Sequence, residues 1–297
     1  IVTGVQTCAL PISRANVSAL RIHEVLSSEI TIKDPSNPMD FSSSMRGVVS
    51  FKNVSFKYPG ADEEVLSDIS FETKPGETTA FIGSTGSGKS TLVKLMNRFY
   101  DVSRGSIEIN GVDIRKYDLE SLRAQIGYVA QKAHMFKGSI RSNICFGKPA
   151  ASEEEMVHAS SVAQASDFIS KRENGYLDEI AEDGTNISGG QKQRLSIARV
   201  ILKKPSLYIY DDSFSALDFK TDATLRKALK PEVKNAIFFV VAQRISTIMD
   251  SDMIIVLDEG QIIGLGTHLE LLKNCSVYQE IAHSQLTQKE LDDYERN

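Results

Sequence analysis

The sequence predicts an α/β fold with a mostly parallel core sheet, a small antiparallel β subdomain and an inserted α-helical subdomain. Short β-branched and apolar runs alternate with helix-patterned stretches along most of the chain. A glycine-rich loop, Gly83-Ser-Thr-Gly-Ser-Gly-Lys89, lies between one such run and a helical stretch. Residues from about 139 to 195 carry helical patterning with no convincing strand. Interleaved strands and helices are typical of a parallel sheet, and the early strand runs indicate antiparallel hairpins beside it.

The predicted strands begin after Gly47, where the pattern becomes strand-like. They cover residues 48–58, 65–71, 78–82, 106–109, 126–129, 207–211, 236–241, 253–257 and 261–265. Helical patterns fall between many of them, including residues 92–99 and 190–202. Residues 47–283 are therefore expected to form one domain, with its helical subdomain at about 139–195 and a polar tail over 284–297.

The amino-terminal region divides into two parts. Residues 2–12 look like the translation of a common sequencing-adapter oligonucleotide, so residues 1–12 are left out of the fold prediction. From residue 13 to about residue 32, apolar side chains recur at roughly helical spacing, as at Val17, Leu20 and Val25. The segment Lys33-Asp-Pro-Ser-Asn-Pro38 ends this pattern, so a helix followed by a linker is expected over residues 13–46.

The composition is that of a globular domain and argues against several functional classes. The chain has 297 residues, of which 41% are hydrophobic, enough for a sizeable core. A net charge of -5 with no basic block argues against a nucleic-acid partner. The cysteines Cys8, Cys145 and Cys275 are too few and too widely separated for a metal cluster or a disulfide framework. No apolar stretch approaches the ~20 residues needed to span a bilayer.

The glycine-rich loop has the G-x-x-x-x-G-K-S spacing of a phosphate-binding loop. Its glycines let backbone N–H groups close around phosphates, Lys89 reaches the β- and γ-phosphate oxygens, and Ser90 offers its hydroxyl to Mg²⁺. The helix that follows points its positive end at the bound anion. The loop therefore predicts ATP and Mg²⁺ as cofactors, with a binding set of Gly83, Ser84, Thr85, Gly86, Ser87, Gly88, Lys89, Ser90 and Thr91.

Two later segments accompany the loop: Ile187-Ser-Gly-Gly-Gln191, and then Leu207-Tyr-Ile-Tyr-Asp211-Asp212. The combination resembles the ATPase domain of ATP-binding cassette (ABC) transporters over about residues 48–283, which implies a P-loop NTPase fold. In that family the Ser-Gly-Gly segment opens a helix whose amino end faces the γ-phosphate bound to the opposite subunit. The resemblance therefore implies a head-to-tail dimer in which nucleotide is contacted by Ser188, Gly189, Gly190 and Gln191.

The same resemblance assigns roles to single residues. Tyr58 matches the aromatic residue that stacks on adenine, which suits its flat π face. Gln131 matches the glutamine that touches Mg²⁺, senses the γ-phosphate and links to the membrane domain. Asp211 matches the carboxylate that holds the Mg²⁺ shell. The implied metal set is thus Ser90, Gln131 and Asp211, and the segment 215–218 matches the loop that communicates across the dimer.

Two positions depart from the family pattern, and both concern hydrolysis. Where an active member has the glutamate that orients or deprotonates the attacking water, this chain has Asp212, whose carboxylate is drawn back by one methylene. Where the family has a histidine that contacts the γ-phosphate, this chain has Gln243, whose amide cannot become cationic or shuttle a proton. With Lys89, these residues form the implied catalytic set. Because neither change removes ATP binding, we expect tight binding and slow turnover.

The intact Ile187–Gln191 segment beside this impaired site resembles the degenerate-site half of a heterodimeric multidrug exporter. The resemblance implies ATP-coupled transport, a second half-transporter as partner, and a location at the cytoplasmic face of the cell membrane. Membrane-spanning helices are expected upstream, with residues 13–46 as the end of a truncated transmembrane domain and its linker. A slow homodimeric exporter and a soluble cassette ATPase with no transport role remain as alternatives.

Overall fold

The computed structural model describes residues 3–41 and 47–286 and divides the chain into two units, Ile1–Lys33 and Asp34–Asn297. The first unit contains one helix, α1 (Thr3–Ser27). This helix begins within the segment that the sequence prediction left out, and it ends before the expected boundary near residue 32. Its last turn is closed by serine hydroxyls, because Ser27 Oγ donates to the His23 carbonyl at 2.5 Å and Ser28 Oγ to the Val25 carbonyl at 2.7 Å.

Membrane-spanning character is not found within residues 3–41 and 47–286, where no helix is both long enough and apolar enough to cross a bilayer. The predicted polar tail falls largely on residues 287–297, which lie outside the described residues. The linker end at residues 42–46 lies outside them as well.

The second unit alternates strands and helices, close to the predicted bounds. Its strands are β1 (Val49–Phe56), β2 (Leu66–Thr73), β3 (Thr78–Gly83), β4 (Arg104–Ile109), β5 (Val112–Asp113), β6 (Ile126–Val129), β7 (Gly138–Ser139), β8 (Glu179–Ile180), β9 (Leu207–Asp211), β10 (Ile237–Val241), β11 (Met253–Asp258) and β12 (Gln261–Gly266). Its helices are α2 (Lys89–Met96), α3 (Leu119–Ala124), α4 (Ile140–Ile144), α5 (Glu153–Val162), α6 (Ser166–Ile169), α7 (Gly189–Lys203), α8 (Phe219–Val233), α9 (Ile245–Ile248), α10 (His268–Asn274) and α11 (Ser276–Gln285).

The core sheet has six strands in the order β12-β11-β3-β10-β9-β6. All neighbours pair in parallel except β11 and β12, so the prediction of a mostly parallel sheet is confirmed. Strands β9 and β10 are buried along their whole length, as expected for parallel strands covered on both faces. Because alternate residues point to opposite faces, Tyr210 and Val240 join one apolar cluster while Ile209 and Phe239 join the other.

A second sheet, in the order β2-β1-β4-β5, is antiparallel throughout and confirms the predicted small β subdomain. Its inward side chains, such as Phe51 and Leu66, share one apolar cluster with Leu92 and Val93 of α2. Helix α2 therefore lies between the two sheets, and its first residues enter the candidate site.

The helical region contains α4, α5, α6 and the beginning of α7, in keeping with the predicted helical subdomain. The expectation that it contains no strand is wrong, because β7 and β8 form a short antiparallel ladder in which Gly138 pairs with Ile180. Each strand has only two residues, too few for a period-two pattern to be visible in the sequence. The subdomain bounds of about 139–195 stay a prediction.

Helix α7 is fixed closely to the edge strand β6. An added Cβ at Gly127 of β6 would lie 2.5 Å from a methyl of Val200, so only glycine allows this approach. At the end of the helix, Lys203 Nζ donates to the carbonyls of Arg123 and Ile126, both at 2.7 Å. Burial lowers the pKa of Lys203, so the ammonium group depends on these two acceptors.

Lys203→Met is expected to destabilise the chain by about 1–3 kcal/mol, because it leaves two carbonyl groups without their donor while keeping most of the side-chain volume. Urea unfolding of the wild type and the variant measures the difference. Lys204→Met is the matched control. Lys204 is the next residue along the chain, its side chain is 60% exposed, and it makes only a 3.9 Å ion pair with Glu155. Equal stability of the two variants would contradict the anchoring role of Lys203.

Candidate functional site

The phosphate-binding loop joins the end of β3 to the start of α2, as the sequence predicts. Gly88 is the residue before the helix and has a φ of 100°, in the left-handed region. An added Cβ there would also lie 2.5 Å from Leu66 Cδ2, so both backbone conformation and space require glycine. The loop therefore turns tightly into α2 and leaves the first N–H groups of the helix available to an anion.

Lys89 is held inside the loop by three acceptors. Its Nζ donates to the Gly83 carbonyl at 2.9 Å, the Ser84 carbonyl at 2.6 Å and Ser87 Oγ at 3.1 Å. Burial lowers the pKa of Lys89, whereas the nearby carboxylates of Asp212 and Asp211 oppose that effect. A cation at the beginning of a helix suits the binding of phosphate groups.

Asp211, at the end of β9, is 4% exposed and is bonded through both carboxylate oxygens. Ser90 Oγ donates to Oδ1 at 3.0 Å and Tyr128 Oη donates to Oδ2 at 3.2 Å. Burial raises the pKa of Asp211, and the two hydroxyl donors act in the opposite direction. Tyr128 was not among the residues predicted from the sequence, although a phenol in an otherwise apolar strand signals a buried hydrogen bond.

Asp212 lies just past the strand in a left-handed backbone conformation, with a φ of 48°. Its N–H donates to the Val241 carbonyl at 2.9 Å, and its own carbonyl accepts from Ser215 Oγ at 2.7 Å. Gln131 Nε2 and Gln243 Nε2 donate to the same carboxylate oxygen, Oδ2, at 3.1 and 2.8 Å. Burial raises the pKa of Asp212 and the charge on Asp211 adds to the rise, while the bond from Gln131 opposes it.

These residues meet in one solvent-open cleft with a volume of about 200 Å³. The cleft is lined by Thr85, Gly86, Gly88, Lys89, Ser90, Thr91, Gln131, Asp212, Val241 and Gln243. The structure thus brings together residues that the sequence separates by up to 158 positions, from Thr85 to Gln243. Asp211 reaches the cleft through its bond to Ser90.

The donor set of the cleft fits ATP with Mg²⁺. Lys89 and the first N–H groups of α2 supply positive potential for phosphate oxygens. Ser90, Gln131 and Asp211 supply hydroxyl, amide and carboxylate oxygens, which are the ligands that Mg²⁺ takes in proteins. The individual assignments of these residues to nucleotide and metal stay predictions.

Tyr58 lies beside the cleft and does not line it. Its hydroxyl is 3.0 Å from Thr91 Oγ1, and its ring meets Phe56 and Tyr100 edge-to-face at centroid distances of 4.9 and 5.2 Å. The side chain is half-buried. These contacts fix the ring next to the loop helix, and its stacking on adenine stays a prediction.

The Ser188–Gln191 segment is not part of this cleft. Ser188 and Gln191 form a capping box at the start of α7, with Gln191 N donating to Ser188 Oγ at 3.3 Å and Ser188 N donating to Gln191 Oε1 at 3.1 Å. Gly189 is exposed, and an added Cβ there would have no heavy atom within 4 Å. The segment therefore presents an open helix start that does not line the chain's own cleft.

Helix α7 also contacts the segment before Gln131 through Gln193, a residue that was not singled out from the sequence. Gln193 is 1% exposed, and its Nε2 donates to the Ala130 carbonyl at 3.2 Å. Ala130 directly precedes Gln131. Helix α7, which begins at the exposed Gly189, thus holds the backbone of Ala130. The next residue, Gln131, supplies one of the two amides that donate to Asp212.

A protein-family model described as "ABC transporter" matches residues 66–215, which include the phosphate-binding loop, the start of α7 and Asp212. The chain is 45% identical over 275 residues to an "Uncharacterized ABC transporter ATP-binding protein" of Mycobacterium tuberculosis, covering 92% of this chain and 47% of that relative. It is 40% identical over 237 residues to an "ATP-dependent lipid A-core flippase" of Vibrio vulnificus, covering 80% of this chain and 41% of the relative.

Among solved structures, the chain is similar to that of a bacterial Atm1-family ABC exporter with ATP bound. The TM-score is 0.86 at 35% identity, over 93% of this chain and 48% of the exporter chain. The chain spans about half the length of the curated relatives it matches.

Asp212→Asn is expected to raise the melting temperature of the ligand-free chain at pH 8, because it removes a carboxylate whose pKa is raised by burial and by the charge on Asp211. A carboxyl group with a higher pKa in the folded than in the unfolded chain favours the folded state when protonated, so the wild type is relatively more stable at low pH. The gain should be about 2–4 °C at pH 8, equivalent to roughly 1 kcal/mol in a chain of this size.

Thermal unfolding followed by circular dichroism from pH 8 to pH ~4 measures this difference, which should shrink as the pH falls toward the ordinary range of a carboxyl group. Asp62→Asn is the control, because Asp62 is exposed and should give no comparable gain. A variant less stable than the wild type at pH 8 would contradict the assignment of Asp212 as a costly buried charge.

Proposed function

The chain belongs to the ABC transporter family, and on that premise we propose that it is the nucleotide-binding domain of an exporter. It binds MgATP in a head-to-tail dimer, and the dimer drives substrate export across a membrane. The observation that carries this proposal is the separation of two surfaces on one chain, the Lys89 cleft and the exposed start of α7 at Gly189. A single chain therefore presents phosphate-binding groups on one surface. On the other it presents the start of α7, which does not line its own cleft.

The exposed helix start suits contact with a second nucleotide. Ser188 already caps α7, so the helix needs no ligand for its own stability. Gly189 nevertheless leaves the space in front of the first turn open, where a side chain would fit without a clash. An open, glycine-lined helix start favours the approach of an anion from another molecule.

The chain's own site is built to bind nucleotide more readily than to cleave it. Lys89 and the loop amides would hold phosphate oxygens, and Ser90, Gln131 and Asp211 would hold Mg²⁺, which would supply charge neutralisation at the phosphates. Asp212 would orient or deprotonate the attacking water, but its carboxylate is one methylene shorter than the glutamate of active members. Gln243 donates to that carboxylate at 2.8 Å and cannot supply the cationic contact of a histidine.

A different chain is the partner that best fits this asymmetry. A partner with a complete catalytic set would complete its own site with Ser188, Gly189 and Gly190 of this chain, and most turnover would occur there. Residues 13–46 would connect to membrane-spanning helices upstream, and the domain would work at the cytoplasmic face of the cell membrane. The transported substrate would be chosen by those helices, so its chemistry is not assigned.

Restoring the family residues tests the impaired site. The double variant Asp212→Glu and Gln243→His is expected to increase ATP turnover by roughly 10²-fold, because the longer carboxylate reaches the position of the water and the imidazole can carry charge. Phosphate release by purified chains at saturating MgATP is the measurement. Adding Lys89→Ala to the restored chain is the control and should remove the gain. Brisk turnover by the unaltered chain alone would refute the impaired site.

Mixing complementary variants in the restored background tests the head-to-tail arrangement. Gly189→Ala keeps the cleft and blocks the exposed helix start, whereas Lys89→Ala keeps the helix start and weakens the cleft. Each variant alone should lose at least tenfold in turnover, and the mixture should recover activity, because one of its two sites contains both intact surfaces.

Gly189→Ala should leave stability and ATP affinity of the single chain unchanged, since its Cβ has no neighbour within 4 Å. Thermal unfolding and binding of a fluorescent ATP analogue check this point. A mixture no more active than its components would argue that the chain's two surfaces do not serve a shared site.

A further inference from the structure

Asp211 is buried deeply enough that its orientation depends on side chains around it. A carboxylate that is 4% exposed requires hydrogen-bond donors in place of water. Among the residues that the structure describes, its carboxylate accepts hydrogen bonds from Ser90 on Oδ1 and from Tyr128 on Oδ2. Each oxygen therefore has one hydroxyl donor, and the pair fixes the plane of the carboxylate.

Ser90 and Tyr128 differ in their relation to the cleft, because Ser90 lines it and Tyr128 does not. Ser90 is the second residue of α2, and its hydroxyl oxygen would become a ligand when Mg²⁺ binds. Tyr128 does not line the cleft and comes from the neighbouring strand β6, where it pairs with Ile209, two residues before Asp211. Its bond to Oδ2 can persist whether or not the cleft is filled.

The ring of Tyr128 is seated by a second aromatic residue. Phe99, just past the end of α2, meets the Tyr128 ring edge-to-face at a centroid distance of 5.9 Å. The guanidinium of Arg123 lies over the Phe99 ring, 5.4 Å from its centroid. Strand pairing on one side and the Phe99 contact on the other restrict the direction in which the phenol can point.

We propose that Tyr128 is a positioning residue for the Mg²⁺ site, acting by holding Asp211 in the orientation that receives the ion. This inference rests on the proposed binding of MgATP in the same cleft. A tyrosine hydroxyl can only donate to an ionised carboxylate, so the Tyr128 bond fixes Oδ2 and leaves Oδ1 directed at Ser90 and the cleft. Groups that orient metal ligands in this way affect metal affinity without touching the metal.

Tyr128→Phe in the full chain removes the hydroxyl and keeps the ring. Binding of N-methylanthraniloyl-ATP is measured twice, once in excess EDTA and once as a titration with Mg²⁺. The Mg²⁺ concentration at half-maximal effect is expected to rise by roughly 10-fold, the lower end of the usual effect of losing such a group. Affinity in EDTA should stay within about twofold, because the phosphate-binding groups of the loop are unchanged.

Two further variants make the result specific. Tyr176→Phe is the matched control, since the structure gives the Tyr176 hydroxyl no hydrogen bond among the described residues, and it should leave both measurements unchanged. Phe99→Leu keeps the Tyr128 hydroxyl but removes its aromatic neighbour, and should raise the Mg²⁺ requirement by about threefold. Phe99 is 43% exposed, so its replacement should not prevent folding. Phe99→Leu therefore tests the orientation of the Tyr128 hydroxyl even if Tyr128→Phe fails to fold.

The outcomes separate this inference from the proposed function. A Mg²⁺ shift with unchanged affinity in EDTA supports the positioning role. Unchanged values in both measurements, or equal weakening in both as expected of a purely structural residue, would overturn the positioning role without contradicting the proposal that the chain binds ATP. Absence of nucleotide binding by the wild type would instead refute the proposed function itself.

Discussion

The structure depends on keeping two adjacent carboxylates, Asp211 and Asp212, almost out of water at the end of β9, where they are 4% and 7% exposed. Buried charges are tolerated only when they are paired or hydrogen-bonded. Donors therefore converge on this point from several elements: a hydroxyl from α2, a phenol from β6, one amide from the loop after β6 and one from the second residue after β10. The ammonium group of Lys89 lies near enough to act on both carboxylates. This convergence defines the site.

The fold makes the convergence possible because β3, β9, β10 and β6 are parallel neighbours, so their carboxyl ends meet at one edge. Helix α2 leaves that edge and packs between the core sheet and the antiparallel sheet. Helix α7 is anchored to β6 at its end by Lys203 and supports the loop of Gln131 by Gln193. Helix α7 thus runs from the exposed Gly189 to the segment beside the cleft, and so joins the two surfaces that the proposed dimer would use.

The departures at Asp212 and Gln243 form one unit in the structure. Both Gln243 and Gln131 donate to the same oxygen of Asp212, so the short carboxylate is held between two neutral amides. These neutral amides supply hydrogen bonds to Oδ2 but provide no group that can change charge during a reaction. The arrangement is therefore well suited to a stable nucleotide-binding pocket, in agreement with the proposal that turnover falls chiefly to a partner.

The sequence by itself determined the class of fold, the phosphate-binding loop and the positions of most strands along the chain, because glycine spacing and apolar periodicity are local properties of the chain. It also identified Lys89, Ser90, Gln131, Asp211, Asp212 and Gln243, which do meet or connect at the cleft. It did not reveal the bond from Tyr128 to Asp211 or the two-residue ladder of β7 and β8. Those features depend on pairings between residues far apart in the chain or on side-chain directions, which only tertiary packing decides.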